Sequence, residues 1–511
     1  MDIPCISALI SFVIATAFSL SYIFHLLRNN NLKSITSISL KKHPETSTTK
    51  TTSISTTTTA SCTTSSILPL GTNGWPILGE TMEFISCAYS DHPESFMEKR
   101  RRLYGKVFKS HIFGKQTIIS TDAEVNKFIL LSDAKLFVPS YPKSLTELMG
   151  KSSILLINGS LQRRIHGLLG SFFKSSHLKA QVTRDMQSYV QQAMDRWDDN
   201  INSPIFIQDE AKQIAFQVLV KALISLDPGK EMQLLKKQFQ EFVSGLMSLP
   251  INLPGTQLYR SLQAKKEMVK LVKKIIISKR NNMVPEAADP NDVLDVLLSD
   301  QSGQLTDDLM SDNMIDMMIP GEDSVPLLIT LAIKYLSDSP LILQKLTEEN
   351  MKVHRLKLEL GEPMIWSDYL SLPFTQMVIT ETLRMGNIIT GLMRKAMKDV
   401  EIKGYLIPKG SCVLTYLRSV HLDQNLYDSP YQFNPCRWQH KDINSSSFTP
   451  FGGGQRLCPG LDLARLEASI FLHHFVTRFR WEAEDDSIVH FPTVRMKKGM
   501  PVWVKRRRDD P

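Results

Sequence analysis

Cysteine is scarce: the 511 residues contain six, Cys5, Cys62, Cys87, Cys412, Cys436 and Cys458, and no two are spaced Cys-x-x-Cys. That excludes a disulfide framework and fits a reducing compartment, in which one thiol can matter for chemistry and the rest act as small hydrophobes. No fixed-period repeat is present, which excludes a solenoid. There is also no dense tract of one charge. Lys and Arg exceed Asp and Glu by 60 to 52, a formal charge of +8, but they are spread along the chain. Nucleic-acid binding is therefore not expected, whereas a basic surface suits anionic lipid headgroups or an acidic protein partner. The basic run from Lys505 to Arg508 reads as a solvated tail.

The length exceeds what one ordinary core supports, so either two domains or one large helical domain is expected. With 42% hydrophobic and 22% charged residues, the chain has ample apolar material for a deep core.

Residues 6–27 are predominantly apolar, near the roughly 20 helical residues needed to cross a bilayer. Asp2 precedes them and Arg28, Lys33, Lys41 and Lys42 follow. A secretory signal begins with a positive region, so the flanks favour an uncleaved anchor with the rest of the chain on the cytoplasmic side. Residues 1–28 read as a single transmembrane helix. Residues 29–67 read as a Ser/Thr-rich flexible linker, too poor in large apolar residues to form a core. A folded domain then spans 68–511, opening on a proline- and glycine-rich extended path from Leu68 to Gly79.

Beyond residue 80, helical periodicity is expected over 178–197, 230–247, 261–279, 313–336, 341–360 and 374–385. β-like runs occupy 107–113, 117–120, 400–406 and 412–416. The fold class is mainly α with a small β part. The loop 248–256 is apolar yet proline-broken, and reads either as an ordinary interhelical connection or as a patch dipping into a membrane.

The stretch Phe451-Gly452-Gly453-Gly454-Gln455-Arg456-Leu457-Cys458-Pro459-Gly460 precedes residues 461–475, which read as an amphipathic helix. A cysteine just before a helix meets unpaired N–H groups and a positive dipole end, which favour a thiolate. The glycines let the backbone turn tightly beside a flat ligand, and Arg456 offers a fork of donors to a carboxylate.

This spacing resembles the cysteine loop of the cytochrome P-450 superfamily, aromatic-x-x-Gly-x-Arg-x-Cys-x-Gly, at every fixed position: Phe451, Gly454, Arg456, Cys458 and Gly460. The resemblance implies that fold, with 68–511 as a haem-thiolate catalytic domain. It also implies heme b as cofactor with the Cys458 thiolate as axial ligand to iron, and chemistry in which dioxygen is split rather than carried.

Further motifs follow in the order the superfamily shows. Glu381 and Arg384 lie one turn apart on a helix, and Arg437 follows in Phe433-Asn434-Pro435-Cys436-Arg437-Trp438; the resemblance implies a buried structural triad. The segment Met317 to Pro326 places two prolines and a glycine inside an apolar helix, a break that opens room over a cofactor. It is similar to the superfamily's oxygen-binding groove, with Pro320 for the usual Ala and Ser324 for the usual Thr. Asp323 and Ser324 are then expected to deliver protons. Arg456 and Arg394 are implied as contacts to the haem propionates. The usual Trp-x-x-x-Arg segment reads Gln162-Arg163-Arg164-Ile165-His166, so a third contact falls to Arg163 or His166.

The wording of 137–144, 151–159, 313–321 and 384–387 is similar to the plant brassinosteroid-biosynthetic branch, above all its steroid C-23 hydroxylases. That implies an endoplasmic-reticulum membrane enzyme hydroxylating C-23 of a C-22-hydroxylated, campesterol-derived steroid. Electrons would come from NADPH through the flavins of a partner reductase. The alternatives are another sterol or triterpenoid hydroxylase, a peroxide-using haem-thiolate isomerase or dehydratase, and a haem- or sterol-binding membrane protein without turnover. The sequons at Asn158 and Asn444 would carry no glycan in a cytosolic domain.

Overall fold

The computed structural model describes residues 66–507 apart from Ile77, Asp91, Asp133, 199–202, 283–288, 440–445 and Pro492. The expected anchor lies outside the described residues, as does the linker except for its last two positions. All described residues fall within one compact unit, 64–511.

The helices begin and end where local chemistry allows. In helix Ala123–Leu131, the Asp122 side chain accepts the N–H groups of Glu124 and Val125, satisfying donors that the helix itself leaves orphaned. Helix Pro373–Gly386 has Pro at its first turn, and the Glu349 carboxylate from a neighbouring helix accepts Phe374 N–H at 2.7 Å and Thr375 N–H at 2.8 Å. It ends at Asn387, whose φ of 46° is left-handed, a conformation Asn tolerates better than most residues.

Most of the expected helices form with ends shifted by a few residues, among them Ser176–Asp198, Lys230–Ser244, Gln257–Asn282 and Pro340–Leu360. The stretch expected as one helix over 313–336 is instead two, Asp307–Asp323 and Val325–Ser337, broken at Ser324. Pro326 has no N–H to continue the ladder, so the chain restarts with it in the first turn. Helix Leu461–Arg478 differs from expectation too. It is buried nearly all round, from Leu463 and Leu466 to His473 and Val476, and sits in the centre of the main core with Trp197, Leu331 and Phe216. The helices Gly159–Lys174 and Ile207–Ile224, not among the runs of helical periodicity expected above, wall the site.

The β part comprises a five-stranded sheet and smaller sheets. In the larger sheet Lys115–Ser120 pairs antiparallel with Val107–Ile112 and parallel with Cys412–Tyr416. The latter pairs with Gly391–Ala396, which carries Arg394 and in turn pairs with Phe137–Pro139. The run expected as one strand over 400–406 is a hairpin, Val400–Ile402 against Tyr405–Ile407. Lys403 and Gly404 turn it with φ of 51° and 78°, the signature of a two-residue turn that matches strand twist. Among the described residues no single helix is long and apolar enough to cross a membrane.

Candidate active site

The cysteine loop is held by its own backbone. Cys458 N–H donates to Phe451 O at 3.0 Å, Leu457 N–H to Gly454 O at 3.1 Å and Gly452 N–H to Thr449 O at 3.0 Å. Two glycines are required by conformation, Gly452 at φ 75° and Gly454 at φ 65°. Gly454 also lies so close to helix Ala123–Leu131 that a Cβ would stand 2.4 Å from Leu130 O. Its role is thus to dock the loop on that helix; Gly452, not Gly454, lines the cavity beside Cys458. The expected lowering of the thiol is not what the folded chain shows. Burial pushes the Cys458 thiol above its ordinary range, and the hydrogen bond from Gly460 N–H only partly offsets this. The helix starts at Leu461, so only the N–H of its capping residue Gly460 acts on the sulfur, too little to outweigh burial.

Behind the loop lies a dense charge cluster. Glu381 and Arg384 are fully buried and Arg437 nearly so. Arg384 grips Glu381 with both arms, Nε to Oε2 at 2.9 Å and Nη2 to Oε1 at 2.8 Å, while Nη1 donates to His421 O at 2.9 Å. Arg437 Nε donates to Glu381 Oε1 at 2.9 Å, and its other nitrogens reach the carbonyls of Asp428, Ser429 and Gln432. Two further donors escaped the sequence reading: Trp438 Nε1 at 2.9 Å from Oε2, and Asn434 N–H at 3.1 Å from Oε1. Every polar atom of the carboxylate is therefore saturated, the condition under which a buried charge is tolerated.

His421 joins this cluster to the cysteine loop. Nδ1 lies 2.6 Å from Asn387 Oδ1, and Nε2 accepts Thr449 N–H at 3.1 Å, so the ring is neutral with its proton on Nδ1. Burial first, then Arg384 and Arg418, push it down to about 3. A histidine depressed in this way stabilises the fold above its unfolded value, and that contribution is lost as pH falls from about 6.5 towards the folded value. Denaturant unfolding across that window is expected to show a shallower loss of stability in His421→Gln than in the unmodified protein, by up to about 1.4 kcal/mol per pH unit. Equal slopes would refute the assignment.

The loop forms one wall of a cavity of about 380 Å³. Cys458, Phe451 and Gly460 line it, with Arg394 and Arg456, and so does the helix break at Pro320, Gly321 and Ser324. Gly321 has a specific reason to be glycine: a Cβ would lie 2.7 Å from Leu219 Cδ2, so its absence lets helix Ile207–Ile224 close one side. Arg456 is positioned by donating to Ile154 O at 3.1 Å, Ile157 O at 2.5 Å and Asn158 Oδ1 at 2.8 Å. Arg394 is buried and donates to Met393 O at 3.1 Å.

The remaining expected residues divide. Arg163 is exposed and does not line the cavity, whereas His166 does. His166 Nε2 is 2.7 Å from Leu457 O, and Gln162 Nε2 donates to Gln455 O at 3.2 Å, so both grip the cysteine loop from helix Gly159–Lys174. Of the acid and hydroxyl, only Ser324 lines the cavity. Asp323 instead meets Lys212, with Oδ1 at 3.8 Å from Nζ, and burial pushes its carboxyl up against the pull of that lysine.

The chain that carries this thiol-bearing loop, broken helix and charge cluster is similar to known proteins. A family model described as Cytochrome P450 matches residues 69–500. The chain is 66% identical over 441 residues to 3-epi-6-deoxocathasterone 23-monooxygenase of Arabidopsis thaliana, covering 86% of this chain and 89% of that protein. A second 3-epi-6-deoxocathasterone 23-monooxygenase of that plant is 53% identical over 446 residues, covering 86% and 84%. Cytochrome P450 90D2 of Oryza sativa subsp. japonica is 63% identical over 444 residues, covering 87% and 90%. Among solved structures, the retinoic acid bound cyanobacterial CYP120A1 superposes with a TM-score of 0.76 at 24% identity, over 87% of this chain and 100% of that one, which speaks for the fold. With a family match over most of its length and relatives this similar along nearly all of theirs, the chain belongs to the cytochrome P450 family.

Proposed function

We propose that this chain is a haem-thiolate monooxygenase that hydroxylates C-23 of a C-22-hydroxylated, campesterol-derived steroid in brassinosteroid biosynthesis. The observation that carries the reaction class is Cys458, set in the wall of an apolar cavity that also takes in the break at Ser324. The substrate rests on similarity to two 23-monooxygenases at 66% and 53% identity.

The residues present fit a haem. Gly460 has an ordinary φ of −93° and no protein atom within 4 Å of a would-be Cβ, yet it is glycine where it lines the cavity. A flat group lying against the backbone accounts for that choice. Arg394, Arg456 and His166 bring cationic or donor groups to an otherwise apolar wall, the set that two carboxylates require. Cys458 would hold the iron, and its thiolate state is then favoured by the metal's charge. When bound, the group supplies reductive activation of dioxygen and insertion of oxygen into an unactivated C–H bond.

The chain's own residues do the rest. Ser324 Oγ is a hydroxyl at the cavity wall able to donate a proton there, and Asp323, next to it in sequence though off the wall, is the acid that would resupply it. The apolar lining excludes water and receives the steroid body.

The chain is further proposed to sit in the endoplasmic-reticulum membrane through residues 1–28, with 29–67 as tether and 68–511 in the cytosol. NADPH-derived electrons would arrive from a flavoprotein reductase, for which the net charge of +8 favours an acidic docking surface. Leu249 and Leu253 in the proline-broken loop are 74% and 61% exposed, which supports the membrane-facing reading of that loop. The function is tested by product analysis after incubating microsomes containing the protein and a reductase with 22-hydroxylated sterols. A C-23 alcohol formed only with NADPH is the expected product. Oxidation at another carbon, or turnover without NADPH, would overturn the reading.

A further inference from the structure

The cavity wall contains an acid with no assigned role. Asp316 lies on helix Asp307–Asp323, lines the cavity and is 4% exposed. Neither carboxylate oxygen has a partner in hydrogen-bonding geometry, although the Ser153 hydroxyl and Ile154 N–H lie near enough to pull on the charge. The groups that face it are committed elsewhere. Ile154 N–H donates to Asn313 Oδ1 at 2.7 Å, and Lys265 Nζ, the cation acting on it, donates to Met149 O at 2.5 Å and pairs with Asp312 at 3.0 Å. A buried carboxyl left unsatisfied is costly, and a protein keeps one where a ligand completes it. Desolvation pushes this carboxyl up to about 7, against the pull of Ser153 and Lys265. Near neutral pH it therefore serves both as acceptor and as donor, which is what an alcohol needs.

We infer that Asp316 is the specificity-determining residue that binds the ring hydroxyl of the steroid. The inference rests on the steroid reading above and adds a polar contact for the substrate in a largely apolar cavity. Position selects the ring hydroxyl over the side-chain one. Asp316 precedes Ser324 by two helical turns, roughly 12 Å along the axis, whereas the 22-hydroxyl is borne by the carbon next to the one oxidised and must stay near the oxygen-handling end. A site built around a hydroxyl also discriminates sharply against the analogue lacking it, because the protein group is then left unpaired.

The test is equilibrium binding to the haem-loaded protein of three sterols: a 3,22-dihydroxysterol, its 3-deoxy counterpart and its 22-deoxy counterpart. The unmodified protein is expected to prefer the 3-hydroxylated over the 3-deoxy sterol by about tenfold or more. Asp316→Val should erase that preference while leaving 3-deoxy affinity within about twofold. Asp316→Asn, close in shape and still able to hydrogen-bond, should keep part of it. Retention of the full preference in Asp316→Val, an equal loss of affinity for all three sterols, or erasure of the 22-hydroxyl preference instead would each overturn the inference, the last two as a merely structural role and as the wrong hydroxyl. If the unmodified protein forms a C-23 alcohol while one of those results is found, only this inference falls; if it binds none of the sterols, the steroid reading falls with it.

Discussion

Cys458→Ala is expected to abolish the thiolate-ligated Soret band of the reduced, carbon-monoxide-bound protein, and with it all sterol hydroxylation, while the melting temperature of the haem-free protein stays near that of the unmodified one. The separation follows from what holds the loop. Its turn is made by main-chain bonds from Cys458 N–H to Phe451 O and from Leu457 N–H to Gly454 O, which alanine preserves. The loop is also gripped from outside by Gln162 and His166 through the carbonyls of Gln455 and Leu457. Only the sulfur is lost, and under the proposed function it would be the electron-donating ligand on which oxygen splitting depends. A normal thiolate band in the alanine variant would sink the assignment of Cys458. Collapse of the fold would show instead that the thiol is structural.

Glu381→Gln should cost the folded protein about 3–5 kcal/mol, read as a shift of the denaturant midpoint and as lost yield of haem-loaded protein. The substitution looks conservative and is not. All five groups that reach the carboxylate are donors: Arg384 twice, Arg437, Trp438 Nε1 and Asn434 N–H. A glutamine turns one acceptor oxygen into an NH2, which must then face either the Arg384–Trp438 side or the Arg384–Arg437–Asn434 side. It also leaves two buried guanidiniums without a counter-charge. Arg384 and Arg437 spend their remaining donors on backbone carbonyls, His421 O for the first and Asp428, Ser429 and Gln432 for the second. Loss of the carboxylate therefore loosens segments nearly forty residues apart in sequence. A cost below about 1 kcal/mol would mean the cluster is hydrated rather than buried.

Much of the site was legible because it is written in short segments. Phe451 to Gly460 form their turn locally, so glycine and cysteine spacing carries the geometry. Glu381 and Arg384 share a helix face for the same reason. What escaped was set by partners distant in sequence. Gly454 reads as part of a cofactor cradle until Leu130 O is found against it. Arg163 and His166 are equivalent on paper, and only the rotation of helix Gly159–Lys174 turns one to solvent and the other to the cavity. Asp323 reads as facing the oxygen site until the fold leaves it off the cavity wall, 3.8 Å from a Lys212 that bonds Glu322.

The amino-acid sequence by itself determined the family, the cysteine loop, the mainly helical fold class and the position of the helix break, since each depends on residues within about one or two turns of one another. The tertiary structure alone decided that the thiol is raised by burial, that His421 links the charge cluster to the cysteine loop, and that Asp316 meets an apolar cavity without a partner. The reason is physical: burial and electrostatic pairing depend on which elements pack together, and a one-dimensional pattern carries periodicity but not the identity of the neighbour across the gap.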